Sequence, residues 1–150
     1  MSIVNCDVLI QGVRRDDVFE WMSNPVHHSR FVLDSFDHVK QVGTGEFELS
    51  FSAPPKNRKM GYHFDRPDDS HGGRRVLVKT TGKRTKGTLN YSFRTMKPSR
   101  NTLITLTMDY DPGSFLGGIL DKAGIGEALH TNFQKLLERC KTEILADLGA

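Results

Sequence analysis

IGEALHTNFQKLLERCKTEILADL, residues 125–148, decides how this chain is read. Ile125, Leu129, Phe133, Leu136, Leu137, Cys140, Ile144 and Leu148 recur three or four apart, and at about 100° per residue they fall on one stripe. Gln134, Lys135, Glu138, Lys141 and Thr142 take the other side. From Glu127 to Leu148 such a helix runs about 33 Å at about 1.5 Å per residue, roughly the width of a small domain. A helix of that length with one apolar face needs a broad apolar surface to lie on. The remainder of the chain has to supply it.

From Asp37 onward the period changes from helical to two. HVKQVG, GEFELSFSAPP, KNRKMGYHFDRP, RRVLVKTTG, GTLNYSFRTMKP and NTLITLTMDYDP are short alternating segments separated by Gly and Pro. Phe47, Leu49 and Phe51 form one inward set, and Met60, Tyr62 and Phe64 another. Val76 and Val78, then Leu89, Tyr91 and Phe93, then Ile104, Leu106, Met108 and Tyr110 continue the pattern. Six consecutive strands on short turns predict an antiparallel meander with one buried face. Asp111-Pro112-Gly113 then turns the chain into the long helix, with Ser114 as a candidate N-cap.

Upstream, Ile3 to Ile10 alternates as a further strand, with Val4, Cys6, Val8 and Ile10 on one face. RRDDVFEWMSNP places Val18, Phe19 and Met22 at helical spacing, and Asn24-Pro25 ends that helix because the residue before Pro avoids helical geometry. VHHSRFV predicts a second short helix, with Val26 and Phe31 turned inward. The expected order is strand, two short helices, six strands, long helix. An up-and-down sheet whose apolar face receives one long C-terminal helix is an α+β layer arrangement.

The chain has 150 residues, 37% of them hydrophobic and 26% charged, so it fits one domain over 1–150 with a real core. No apolar run approaches the roughly 20 residues of a membrane span. The opening MSIVNCDVLI lacks a basic region and carries Asp7, unlike a signal peptide. Cys6 and Cys140 stand alone, without a CxxC partner, which fits a reducing compartment; a cytoplasmic location is the expectation. The formal net charge is +3, but its cations are dispersed among acids. Charge alone therefore disfavours nucleic acid as a partner, and nothing in the sequence fixes an oligomeric state.

DDVFEWMSNPVHHSRFV (16–32), following the first strand, resembles the entrance of the START-like, polyketide-cyclase/dehydrase superfamily, also called SRPBCC. GTLNYSFRTMKPSRNTLITLTMDYDPGSFLGGILDK (87–122) is similar to that family's last two strands and the Gly-rich start of its long helix. The resemblance covers essentially the whole chain. It implies the helix-grip fold: a seven-stranded sheet curved around the C-terminal helix, with an apolar cavity between them. Family members bind lipids, sterols, polyketides or plant hormones there, and a minority catalyse cyclisation, dehydration or hydrolysis.

On that basis the inward residues Tyr62, Phe64, Val78, Tyr91, Phe93, Met108 and Tyr110 of the sheet, with Leu129 and Phe133 of the helix, are candidate cavity residues for a small hydrophobic molecule. A ligand pocket is mostly apolar with a few polar groups, a role the tyrosines and Cys6 fit. The plainer alternative is core tyrosines bonded to backbone. Phe31, Phe36, Phe115, Leu116 and Leu120 are candidates for the cavity entrance, the alternative being ordinary packing at one end of the sheet. A second functional reading is a cyclase or dehydrase in which cavity tyrosines donate protons or hydrogen bonds.

The other signals are weaker. His27-His28 is conspicuous, but adjacent helical residues point about 100° apart and no HxH or HExxH spacing joins them to a further ligand. The expectation is solvated or capping histidines and no metal. No phosphate-cradling loop or cofactor fingerprint is present, and no catalytic set can be read. Arg74, Arg75, Lys79, Lys83, Arg84 and Lys86 gather around one hairpin, as a protein- or RNA-contacting module would require. A charged hairpin that discourages edge pairing is the simpler account.

Overall fold

A computed structural model describes residues 2–53, 56–97, 100–113 and 115–149, leaving out the side chains of Lys56, His71 and residues 115–123. The seven strands are β1 (Ser2–Ile10), β2 (His38–Gly43), β3 (Glu46–Ala53), β4 (Lys56–Asp68), β5 (Arg75–Thr81), β6 (Lys86–Met96) and β7 (Asn101–Asp111). Two short helices, α1 (Arg15–Met22) and α2 (Ser29–Val32), follow β1, and α3 (Phe115–Leu148) closes the chain. All strand pairs are antiparallel, in the order β1-β7-β6-β5-β4-β3-β2. The meander is thus extended by β1, which pairs with β7 so that Val4 faces Met108 and Cys6 faces Leu106.

Alternation produces this sheet. In β3 the even burial of Phe47, Leu49, Phe51 and Ala53 contrasts with exposed Glu46, Glu48 and Ser52, and β7 buries Thr102, Ile104, Leu106, Met108 and Tyr110. One face of the sheet is therefore continuous hydrocarbon. The stripe of α3 lies on it: Ile125, Leu129, Phe133, Leu136, Leu137, Cys140 and Ile144 are all buried. At about 1.5–3 kcal/mol for each large apolar side chain, this stripe contributes on the order of 10 kcal/mol before entropy is counted.

Two expected inward residues point out. Val26 is exposed because Pro25–His28 is a 3₁₀ turn, in which the Asn24 side chain accepts the Val26 N–H and rolls that residue outward. Leu148, in the last turn of α3, is exposed. Phe64 is half-buried: the β4–β5 register slips between Phe64 and Arg66, so the strand twists there. Its backbone N–H bonds the Gly45 carbonyl at 2.9 Å. Gly45 has φ +70°, and a Cβ there would stand 2.8 Å from the Phe64 Cβ and 2.9 Å from the Pro25 Cβ, so this β2–β3 turn requires glycine. The expected cap Ser114 lies outside the described residues.

A polar clamp fixes the far end of α3. The Trp21 indole donates to Asp147 at 2.8 Å, and Arg30 binds the same carboxylate through two nitrogens while lying 5.5 Å over the Trp21 ring. Those contacts hold the Asp147 carboxyl down at about 2, with the Arg30 hydrogen bond the larger cause. Among the described residues no helix is long and apolar enough to cross a membrane.

Candidate functional site

The interior between sheet and α3 contains a connected chain of polar groups. His28 Nε2 lies 2.9 Å from the Met22 carbonyl, His28 Nδ1 lies 2.6 Å from the Tyr62 hydroxyl, and that hydroxyl lies 2.9 Å from the Tyr91 hydroxyl. His28, Tyr62 and Tyr91 expose no surface at all. Three elements place them: the 3₁₀ turn fixed by Pro25 and the Asn24 cap, and the inward parity of β4 and β6. Phe31, Phe64 and Tyr91 box the imidazole, with ring centroids 5.0, 5.0 and 5.9 Å away.

Burial dictates the protonation. It lowers the His28 pKa to about 4, the Met22 hydrogen bond opposing it, so the ring is neutral near pH 7. A carbonyl only accepts, so the single ring proton sits on Nε2 and Nδ1 offers a lone pair. Tyr62 must donate to Nδ1. Its one proton is then spent, so Tyr91 donates to the Tyr62 oxygen. The chain has a direction, from Tyr91 to Tyr62 to His28 to the Met22 carbonyl, and it ends in a group that cannot take up a proton.

The consequence is chemical. Burial pushes both phenols far above their ordinary range, while His28 is a poor base. Tyr91 keeps acceptor lone pairs but no free proton. This arrangement orients and accepts; it does not deliver protons. The expected solvated or capping role for His28 is therefore corrected: it organises the interior, whereas its neighbour His27 stacks on Trp21 at 4.5 Å and bonds the Trp21 carbonyl at 2.7 Å. No spacing rule flags His28; the usable signal was Asn24-Pro25, which starts the tight turn that throws the ring inward.

The sequence-designated residues fall as follows. Tyr62, Val78, Tyr91, Met108, Leu129 and Phe133 pack without exposed surface, Phe93 and Tyr110 nearly so, and Phe64 is half-buried. Tyr62 and Tyr91 are brought together. Tyr110 is separate, its hydroxyl reaching toward Gly126 on α3. Cys6 donates weakly to the His130 carbonyl, and burial, aided by Asp7, raises its thiol to about 11. Phe31 packs deep against His28 and Tyr91 and not at a rim. Phe36 stands edge-on to Phe51 and Phe133. The side chains of Phe115, Leu116 and Leu120 lie outside the described residues.

Three of the hairpin cations are held by separate partners. Arg74 pairs with Asp16 and covers Phe19, Arg75 pairs with Asp68, and Arg84 donates to the Pro112 carbonyl. Among the described residues no cluster of three His, Cys, Asp or Glu side chains is arranged to hold a metal.

Solved structures share this fold over nearly the whole chain. An aromatase/cyclase from a Streptomyces species is 12% identical, with a TM-score of 0.66, over 99% of this chain and 98% of its own. The KanY protein is 13% identical, with a TM-score of 0.68, over 95% and 97%. The chain has the helix-grip fold. Norcoclaurine synthase from Thalictrum flavum is a third such neighbour, 14% identical at a TM-score of 0.60, over 96% of this chain and 86% of that one. At these identities the likeness is one of fold. No protein-family model matches the chain, and no curated protein matches it. The helix-grip neighbours thus include proteins named as enzymes, and the chemistry of this chain has to be argued from its own residues.

Proposed function

We propose that this helix-grip domain binds a small, largely apolar molecule between the sheet and α3, and that the molecule presents one O–H or N–H to Tyr91. The observation that carries this is the directional polar chain sunk in hydrocarbon. Burying an imidazole and two phenols costs stability compared with an apolar core unless every hydrogen bond is made. Here the bonds are made, and an acceptor oxygen is left at the end of the row. A mostly apolar interior with a few placed polar groups is the usual design of a small-molecule site. Leu129 and Phe133 form the helix wall of the proposed site, and Met108 and Tyr91 the sheet wall. Because these side chains are packed against one another, the ligand enters by displacing them locally.

Binding is favoured over catalysis because the chain of donors ends at the Met22 carbonyl, which closes the route a tyrosine acid would need. The test compares 1-naphthol with naphthalene, followed by Trp21 fluorescence and calorimetry on the purified protein. Saturable one-to-one binding is expected, with the naphthol favoured by about 1 kcal/mol and the preference abolished in Tyr91→Phe. Absence of saturable binding by either compound, together with no co-purifying small molecule in native mass spectrometry, would refute the reading.

A further inference from the structure

We propose that His28 sets which class of ligand the interior accepts, without touching the ligand. Neutral, it leaves Tyr91 an acceptor for an alcohol or phenol; protonated, it makes Tyr91 a donor to a carbonyl. This rests on the reading of the interior as a binding site and adds the rule by which that site selects. The geometry carries it. The row runs unbroken from the Met22 carbonyl to His28 at 2.9 Å, to Tyr62 at 2.6 Å and to Tyr91 at 2.9 Å. Each hydroxyl has one proton and two lone pairs on the same oxygen, so it can point either way along the row. The carbonyl end only accepts. The imidazole therefore decides the sense of every bond after it.

With its one proton on Nε2, the ring accepts from Tyr62, and Tyr62 accepts from Tyr91. A second proton, on Nδ1, makes the ring donate at both nitrogens. Tyr62 then receives a bond from His28 and gives its own proton to Tyr91, whose proton is left to point out of the row. No heavy atom has to move. The protons balance: one from solvent joins the Tyr91 oxygen, the proton that oxygen held passes to Tyr62, and that of Tyr62 passes to Nδ1.

The box around the ring permits both states and favours the neutral one. The ring is faced from its own turn by His27, from α1 by the Met22 carbonyl, and from α2 by Phe31. Tyr62 and Phe64 face it from β4, and Tyr91 from β6. On α3, Cys140 turns its thiol to the Met22 sulfur at 3.4 Å, while Glu143 and Asp147 are bound by Arg30. No carboxylate in this set is left to hold the ring charged, and burial keeps it neutral above about pH 4. A carbonyl on Tyr91 supplies, at the far end of the row, the acceptor that the charged state lacks. Its binding and the uptake of a proton therefore reinforce each other.

The experiment uses the full ¹⁵N-labelled chain with three uncharged probes: 1-naphthol, 1-acetonaphthone and naphthalene. Ring ¹⁵N shifts give the His28 midpoint in each saturated complex. Calorimetry gives the affinities at pH 7 and pH 4.5, with circular dichroism confirming the fold. Relative to the naphthalene complex, the midpoint should rise by about one pH unit with acetonaphthone, which is about a tenfold linkage. The ratio of acetonaphthone to naphthol affinity should then rise about threefold from pH 7 to pH 4.5. His28→Gln, whose amide takes up no proton in this range, should show no such rise. Saturable binding with one His28 midpoint in all three complexes overturns the proposal and leaves the site standing. A ratio that rises equally in folded His28→Gln overturns it too. Absence of saturable binding by any probe removes the site, and this selectivity with it. Because the midpoint is read on the unsubstituted chain, it decides the question even where the variant does not fold.

Discussion

Tyr62→Phe tests the direction of the buried polar chain. The change deletes one oxygen but strands two groups, the His28 Nδ1 lone pair and the Tyr91 O–H, since Tyr62 both donates at 2.6 Å and accepts at 2.9 Å. An orphaned buried donor or acceptor costs about 1–3 kcal/mol, so the loss should be about 2–6 kcal/mol. Tyr91→Phe removes only the terminal donor. Tyr62 still gives its proton to His28, and the loss should be about 0.5–1.5 kcal/mol, that of one ordinary hydrogen bond. Urea unfolding followed by Trp21 fluorescence and circular dichroism measures both, with the slope checked for constancy. The thermal midpoint should fall roughly 5–15 °C for Tyr62→Phe and by only a few degrees for Tyr91→Phe. Equal losses in the two variants, or a Tyr62→Phe loss below about 1 kcal/mol, would show that the bonds do not run in the inferred direction.

Three further outcomes follow from the same interior and its clamp. His28 has its folded pKa lowered to about 4 from an ordinary value near 6.5, so the folded state resists the proton that the unfolded state takes up. Its contribution is complete above pH 6.5 and is lost as pH falls toward 4, by about 3 kcal/mol in all; the stability difference between wild type and His28→Gln should shrink over that window, and a constant difference would contradict it. Asp147→Asn removes the shared partner of Trp21 and Arg30, so hydrogen exchange should quicken in the last two turns of α3 while the sheet is unaffected. Because that carboxyl is depressed to about 2, the clamp is intact above the ordinary carboxylate range and is lost as pH falls through about 2. Burial raises both thiols, so neither Cys6 nor Cys140 should react with a disulfide reagent at pH 8 until the chain unfolds, as mass spectrometry would register.

The sequence by itself determined the elements, their order and their inward faces. Period two in β3 and β7 and the three-four spacing from Ile125 to Ile144 are local properties, set by backbone geometry that each segment carries with it. Those periods required an antiparallel meander with a long helix against its apolar face, and the structure has it. The sequence also brought Tyr62, Tyr91 and Tyr110 to that face. What only tertiary structure decided is where non-neighbouring polar groups meet. Nothing local in VHHSRFV distinguishes His27, stacked on Trp21, from His28, buried beside Tyr62; one residue of rotation in a 3₁₀ turn separates them. The same rotation put Val26 outside. The tautomer of His28, and with it the direction of the Tyr91–Tyr62 bonds, depends on a carbonyl six residues back and two hydroxyls 34 and 63 positions ahead. Periodicity assigns a residue to a face, whereas chemistry depends on distances between residues far apart in the chain, and folding alone sets those distances.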